Sequence, residues 1–177
     1  MNKYMFILNK YKMLNVFNND QQKCDNYTTP KPAYVDIKKF ITENITIYDP
    51  FYNDGGCQSY MKEVFDNNTI LHLNEEIDLT KKSNQEFDMI ITNPPFTIKK
   101  RVLEWLVAQG KPFMCISPLN YISTIEIRKI PCFEDFQFIL PNRRINFERG
   151  GKDHKGSWFP SVWICYKMGL PDRIVFN

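Results

Sequence analysis

Short apolar runs recur along the chain, and each has the length of a buried strand. The runs "ITIY", "TILHL", "DMIIT" and "PFMCISP" start at Ile45, Thr69, Asp88 and Pro112. Continuous apolar runs of this length are typical of strands that are buried on both faces of a parallel sheet. Two further runs, "FQFIL" and "SVWICYK", predict two more strands near the end of the chain.

Between these runs the apolar residues recur every three or four positions, which is the helical period. One such segment covers residues 33–41, with Thr29 as a candidate cap and Pro30 in the first turn. The others cover residues 60–65 and 97–109, the latter closed by Gly110. Alternating strands and helices predict an α/β fold with a Rossmann-like, doubly wound and mostly parallel sheet.

The connection between the second and third predicted strands is short. Fourteen residues separate Leu73 from Asp88. That is too few for a crossover helix of usual length together with another strand. We therefore expect a minimal version of the sheet, shortened on this side.

The first 26 residues differ from the rest of the chain. They lack clear periodicity and end in the polar run "NNDQQKCDN". We expect a mobile or loosely docked tail over residues 1–26 and a single domain over residues 27–177. With 177 residues, of which 43% are hydrophobic, the chain has enough apolar surface for a packed core.

Two features favour an intracellular, cytoplasmic protein. The five cysteines are scattered and form no C-x-x-C pair, so neither a disulfide framework nor a metal site is expected. No apolar run is long enough to span a membrane, and the N-terminal residues lack a signal-peptide pattern. A reducing compartment without membrane attachment is the simplest interpretation.

Charge is concentrated in one segment, residues 141–160, which we call the basic insertion. It carries five basic and two acidic side chains, an excess of +3 that equals the net charge of the whole chain. Guanidinium groups interleaved with aromatic residues and glycines are typical of a loop that binds nucleic-acid phosphates, although a solvated hairpin would also fit. The candidate substrate-binding residues are Arg143, Arg144, Arg149, Lys152, Lys155 and, for stacking on a base, Trp158.

The run "DMIITNPPF" marks a candidate reaction centre. Pro94 and Pro95 cannot donate hydrogen bonds to a neighbouring strand, so the strand must end before them. Open α/β sheets bind their ligands just beyond the carboxyl ends of the strands. No G-x-G-x-x-G or G-x-x-x-x-G-K-[ST] pattern is present, which disfavours a nicotinamide cofactor and a P-loop nucleotidase.

Together with "DPFYNDGG" after the first strand, this run resembles the S-adenosylmethionine-dependent amino-methyltransferases, especially those acting on the N6 amino group of adenine. That family carries a [DNS]-P-P-[YFW] tetrad, an acidic-Pro-x-x-Gly-x-Gly loop and a Thr-Pro pair. Here the tetrad is Asn93, Pro94, Pro95 and Phe96, the glycine loop is residues 49–55, and Thr29 precedes Pro30. The motif order is the unpermuted one, and the similarity spans about residues 27 to 170.

The resemblance implies a class I methyltransferase fold with a C-terminal antiparallel hairpin, and S-adenosylmethionine as cofactor. It also implies that Asp49 and Asp54 lie near the methionine portion and Thr29 near its carboxylate. Acidic residues after the second strand would hold the ribose and the adenine of the cofactor, and Glu75, Glu76 and Asp78 compete for these two roles. The candidate cofactor-binding residues are Thr29, Asp49, Pro50, Phe51, Asp54, Gly55, Glu75 and Asp78.

The glycine loop departs from the family pattern at Asn53, where the first glycine would stand. Asparagine adopts positive φ more readily than other residues that carry a side chain. We therefore predict that Asn53 preserves the sharp turn.

The tetrad has a chemical rationale in the resemblance. An aromatic amino group is a weak nucleophile because its lone pair is delocalised into the ring. If the Asn93 side-chain oxygen and the Pro94 carbonyl each accept one of its N–H bonds, the lone pair is freed toward the methyl donor. Proline fixes φ and brings no competing N–H, and Phe96 would stack on the base.

Other interpretations stay open from sequence alone. Protein glutamine methyltransferases also carry an N-P-P-[YF] tetrad, and a non-catalytic nucleic-acid-binding subunit could keep the fold. DNA is favoured over RNA, and adenine over cytosine. We expect no separate target-recognition domain within these 177 residues, so selectivity would come from the basic insertion, the tail, a protein partner or a second copy. His72 is expected in the core, with no Cys or Asp partner for nucleophilic catalysis.

Overall fold

A computed structural model describes residues 27–75, 77–149, 152–153 and 159–177. The predicted tail at residues 1–26 lies outside this range, as do Glu76, Lys155 and Trp158. Within the described residues, no helix is both long enough and apolar enough to cross a membrane.

The described strands are β1 Thr46–Tyr48, β2 Thr69–Leu71, β3 Met89–Thr92, β4 Phe113–Pro118, β5 Phe136–Leu140, β6 Glu148–Arg149, β7 Lys152–Asp153, β8 Ser161–Tyr166 and β9 Ile174–Phe176. Among the described residues, seven strands form one sheet in the order β2-β1-β3-β4-β8-β5-β9, and the two short strands β6 and β7 form a separate ribbon. Strands β1 to β4 are mutually parallel, β8 runs antiparallel to both of its neighbours, and β9 is parallel to β5. The predicted mostly parallel sheet with a C-terminal antiparallel hairpin is therefore confirmed.

The sheet ends at β2 on one side, as the short connection predicts. Strand β2 pairs only with β1 among the described strands. The described residues between β2 and β3 form neither a helix nor a strand. This edge of the sheet is accordingly closed by irregular chain.

Helices cover both faces of the sheet. They are α1 Lys31–Ile37, α2 Cys57–Val64, α3 Lys99–Gln109 and α4 Ile125–Arg128, with 3-10 turns at Lys38–Phe40, Phe96–Ile98, Leu119–Ser123 and Phe133–Asp135. Helices α1 and α2 pack on the face that presents Ile47 and Ile91, whereas α3 packs on the face that presents Tyr48 and Ile90. Alternate residues of each strand thus enter different cores, which is why the strands are apolar throughout.

The helix ends agree only in part with the predicted signals. Gly110 follows α3 with φ of 74°, the left-handed conformation that a C-terminal glycine supplies. Thr29 is not the cap of α1, because Pro30 holds that position and no side chain caps the helix. Thr29 is instead buried.

Candidate active site at the carboxyl edge of the sheet

The glycine loop and the tetrad meet because their strands are neighbours. Strand β1 pairs in parallel with β3, so the residues that follow each strand emerge side by side. Asp49 follows β1, and Asn93 follows β3. A hydrogen bond of 2.6 Å from the Thr92 hydroxyl to Asp49 Oδ1 joins the two strand ends directly.

The Asn93 side chain has a defined orientation. Its Nδ2 donates a hydrogen bond of 2.7 Å to the backbone carbonyl of Tyr27. Because a carbonyl oxygen can only accept, the amide nitrogen must face Tyr27 and Oδ1 must point elsewhere. Asn93 is partly exposed, so the site presents a fixed acceptor rather than a freely flipping amide.

Phe96 lies at the junction of the tetrad and the basic insertion. Its ring meets Phe147 at a centroid distance of 6.1 Å and Phe159 at 5.4 Å, with interplanar angles of 73° and 84°. Edge-to-face geometry of this kind is favourable for aromatic pairs. Phe96 remains partly exposed while both partners are buried, so the insertion is packed against the tetrad through these rings.

Residues 27–29, which we call the bridging segment, tie three parts of the site together. Thr28 and Glu148 exchange two backbone hydrogen bonds of 2.9 Å. The Thr28 hydroxyl donates to both carboxylate oxygens of Asp54, at 3.1 and 3.2 Å. Tyr60 on α2 donates its hydroxyl proton to the Glu148 carboxylate at 3.1 Å. The bridging segment therefore contacts the glycine loop and the basic insertion as well as Asn93.

The glycine loop makes the sharp turn that its sequence predicts. Asn53 has φ of 52° and Gly55 has φ of 75°, so asparagine does replace the missing glycine. A Cβ atom on Gly55 would lie 2.6 Å from the hydroxyl oxygen of Tyr52, whose ring stacks on His72 at 4.9 Å. Asp54 accepts a hydrogen bond of 2.9 Å from the Gly56 N–H at the start of α2.

Asp49 lies in a buried hydrogen-bonded network with His72 and Cys57. Its Oδ2 lies 3.3 Å from His72 Nδ1 and accepts from Cys57 Sγ at 3.4 Å. His72 Nδ1 also lies 3.1 Å from the Asp49 carbonyl oxygen, so this nitrogen carries the proton. The prediction that His72 is a core residue is correct, but Asp49 and Cys57 do lie beside it. The parallel pairing of β1 with β2 brings Asp49 close, and helix α2 supplies Cys57.

The network raises the pKa of two of its side chains and brings potential metal-ligand atoms close together. Burial raises the pKa of the Asp49 carboxyl, while His72 and the Thr92 hydroxyl act in the opposite direction. Burial and the Asp49 carboxylate raise the pKa of the Cys57 thiol. Ligand atoms of Asp49, Cys57 and His72 lie within 4.8 Å of one another, close enough to meet on one metal ion. Contacts of hydrogen-bond length already join these three side chains to one another.

Two of the three acidic candidates after β2, Glu75 and Asp78, lie on the surface. Glu75 is exposed and accepts a hydrogen bond from Gln85 Nε2 at 3.2 Å. Asp78 accepts from the Thr80 hydroxyl at 2.6 Å and pairs with Lys81 at 3.0 Å. Hydrogen bonds from Thr80, aided by Lys81, lower the pKa of Asp78 to about 2, so this carboxyl stabilises a local turn.

The basic insertion alternates exposed and buried side chains at its start. Arg143 and Arg144 are exposed, whereas Ile145 and Phe147 are buried. Arg143 forms an ion pair of 3.2 Å with Asp36 on α1. The backbones of Arg149 and Lys152 pair in the β6–β7 ribbon, while Lys155 and Trp158 lie outside the described residues.

Several site residues carry no motif and were not singled out from the sequence. Tyr27, Thr28 and Glu148 act through contacts between segments that are distant along the chain. Thr92 did leave a signal, because it is the one polar residue at the end of the otherwise apolar run "MIIT". Such a residue at the carboxyl end of a buried strand needs a polar partner.

Comparisons with known proteins give one sequence relative and several similar folds. No protein-family model matches the chain. The chain is 29% identical over 103 residues to the type II methyltransferase M.EcoRI of Escherichia coli, a match that covers 54% of this chain and 30% of that protein. The chain thus corresponds to under a third of that relative's length.

Two solved structures illustrate the similarity in fold. A type I restriction-modification system methyltransferase subunit from Streptococcus thermophilus superposes with a TM-score of 0.52 at 14% identity, over 85% of this chain and 47% of the other. A putative RNA methyltransferase from Pyrococcus horikoshii gives a TM-score of 0.47 at 14% identity, over 78% and 84% of the two chains. The strand order and the first of these matches show that the chain has the class I, Rossmann-like methyltransferase fold.

Proposed function

We propose that this protein is an S-adenosylmethionine-dependent methyltransferase that modifies the exocyclic N6 amino group of adenine in nucleic acid, with DNA favoured over RNA. The observation that carries the proposal is the orientation of Asn93. Its Nδ2 is bound to the Tyr27 carbonyl, which leaves Oδ1 to accept an N–H of the target amine. The glycine loop lies beside it through the contact between Thr92 and Asp49.

The residues of the glycine loop fit the proposed cofactor. Thr29 is buried with its hydroxyl next to the Tyr34 side chain, and in this proposal that hydroxyl donates to the methionine carboxylate. Asp54 is exposed at the start of α2, where its carboxylate can face the methionine amine. When bound, the cofactor supplies a methyl group activated by a sulfonium centre.

The tetrad would prepare the amine for transfer. Asn93 Oδ1 and the Pro94 carbonyl accept its two N–H bonds, which draws the nitrogen toward tetrahedral geometry and directs its lone pair at the methyl group. Phe96 stacks on the base, a contact worth about 1–3 kcal/mol. Holding the nitrogen and the methyl carbon in line can supply roughly 7–11 kcal/mol of the rate enhancement.

The nucleic-acid substrate is supported by charge and by the relatives. The amino group of a paired base is inaccessible, so the target must be single-stranded or flipped out of the duplex. The exposed Arg143 and Arg144 can bind the flanking phosphates. A type II methyltransferase and a subunit of a restriction-modification system are among the similar proteins, which favours DNA.

A labelled-methyl assay tests the proposal. The purified protein is incubated with S-adenosylmethionine carrying a labelled methyl group and with panels of DNA, RNA and glutamine-containing peptides. We expect N6-methyladenine, identified by mass spectrometry of the nucleosides. Methylated cytosine or methylglutamine would replace the proposed substrate, and failure to bind the cofactor would leave only the non-catalytic alternative.

A further inference from the structure

We infer that Thr28 is a positioning residue that sets the Asp54 carboxylate for the cofactor while keeping the glycine loop in register with Asn93. The inference rests on the proposed function, because it names a residue that acts on the same cofactor site. Thr28 precedes the Thr-Pro pair and belongs to none of the three motifs.

The side chain of Thr28 fixes the Asp54 carboxylate. Its hydroxyl lies 3.1 Å from Oδ1 and 3.2 Å from Oδ2, and Thr28 is only 5% exposed. Asp54 Oδ1 also accepts the Gly56 N–H at 2.9 Å. Two donors, one from the bridging segment and one at the start of α2, therefore hold an otherwise exposed carboxylate in one orientation.

The methyl group of Thr28 explains the glycine that follows the loop, Gly56. A Cβ on Gly56 would lie 3.2 Å from Thr28 Cγ2 and 3.0 Å from Asp54 Oδ1. Gly56 has φ of −62°, a conformation open to any residue, so its backbone does not require glycine. Glycine at this position instead lets the Thr28 side chain approach the loop.

The backbone around Thr28 reaches the acceptor side of the site. Its N–H and carbonyl bond to Glu148 in the basic insertion, and the preceding carbonyl, from Tyr27, holds the Asn93 amide. One extended segment thus contacts the cofactor side through a side chain and the acceptor side through the main chain. The two functions can be separated by mutation, because only the first depends on the hydroxyl.

The test compares Thr28→Val with Thr28→Ser. Valine keeps the shape and the main-chain bonds but loses the hydroxyl, whereas serine keeps the hydroxyl. We expect Thr28→Val to weaken S-adenosylmethionine binding about tenfold by calorimetry, the loss of one hydrogen bond to a charged group. Thr28→Ser should stay within about twofold of wild type on the same scale. Binding of a DNA oligonucleotide should be unchanged in both variants.

A matched control removes a hydroxyl hydrogen bond elsewhere. Thr124 donates to the Tyr121 carbonyl at 2.8 Å, and Thr124→Val should leave cofactor affinity unchanged. If Thr28→Val binds the cofactor as wild type does, or if Thr28→Ser fails to restore affinity, the inference is wrong while the proposed function stands. If wild-type protein binds no S-adenosylmethionine, the proposed function fails and this inference with it.

Discussion

At the scale of single residues, motif positions could be predicted and their partners could not. Asn53 takes positive φ as its identity suggests, because that preference is local to the residue. Asn93 was identified by its place in the tetrad, yet its contact with Tyr27 spans 66 positions along the chain. The neighbours of His72 were missed for the same reason, since strand pairing brings Asp49 to it and helix α2 brings Cys57.

Removing the Asn93 side chain should separate catalysis from cofactor binding. Asn93→Ala deletes the proposed acceptor, and we expect kcat to fall by about 100-fold or more, as when a single transition-state hydrogen bond is lost. Cofactor affinity should remain near that of wild type, since the glycine loop is unaltered. Asn84→Ala, at an exposed asparagine, is the control. Normal turnover in Asn93→Ala would show that Asn93 is not the acceptor.

Cysteine reactivity should follow burial. Burial raises the pKa of the thiols of Cys57, Cys115 and Cys165, and the thiolate is the reactive form. In native protein at pH 8, iodoacetamide should therefore modify the exposed Cys132 well before these three. Peptide mass spectrometry over a time course measures the order, and equal rates for Cys57 and Cys132 would contradict it.

At the scale of elements, the apolar runs predicted where the strands lie. The hydrophobic pattern did not predict which residues are buried in the basic insertion, where charged and buried side chains alternate. The strand β3 begins one residue after the predicted start, and β4 likewise. The basic insertion was predicted as a charged loop, but Ile145 and Phe147 are buried in the core. Their alternation with arginine and asparagine is too short to indicate which side faces inward.

The glycine loop should tolerate a side chain at Gly55 poorly, and Gly110 offers a matched comparison. The two residues have φ of 75° and 74°, so alanine pays the same backbone cost of about 1 kcal/mol at either position. Only at Gly55 does the new Cβ also meet the Tyr52 ring, whereas Gly110 has nothing within 4 Å. Gly55→Ala should therefore lower the free energy of unfolding more than Gly110→Ala, measured by urea denaturation.

Cofactor binding gives a second readout for the same pair. Gly55→Ala must displace the Tyr52 ring from its stack on His72, so S-adenosylmethionine binding should weaken in this variant alone. Equal cofactor affinity in both alanine variants would exclude Gly55 from the proposed site.

At the scale of the whole molecule, the candidate site is assembled from segments that the sequence keeps far apart. The bridging segment, the glycine loop, the tetrad and the basic insertion all meet at one edge of the sheet, although they span residues 27–148. Parallel strand pairing explains why the glycine loop and the tetrad meet, because it places the carboxyl ends of neighbouring strands side by side. The bridging segment and the basic insertion are joined by the backbone bridge between Thr28 and Glu148, which no local sequence pattern predicts.

Phe147 of the basic insertion packs against Phe96 of the tetrad, and under the proposed function the exposed arginines of the insertion bind the phosphates of the nucleic acid. Replacing Arg143 and Arg144 together by alanine removes two exposed positive charges. If both contact phosphates of duplex DNA, the slope of log affinity against log salt should flatten by about 1 to 2, with weaker binding at low salt.

The control for this charge effect removes the same charge from another surface. Arg128 and Lys129 are exposed at the end of α4, and their joint replacement by alanine lowers net charge equally. Fluorescence anisotropy with one oligonucleotide over a salt series measures both slopes. A slope that changes equally in the two variants would reflect net charge alone, because direct phosphate contacts require that only the Arg143 and Arg144 variant lose salt dependence.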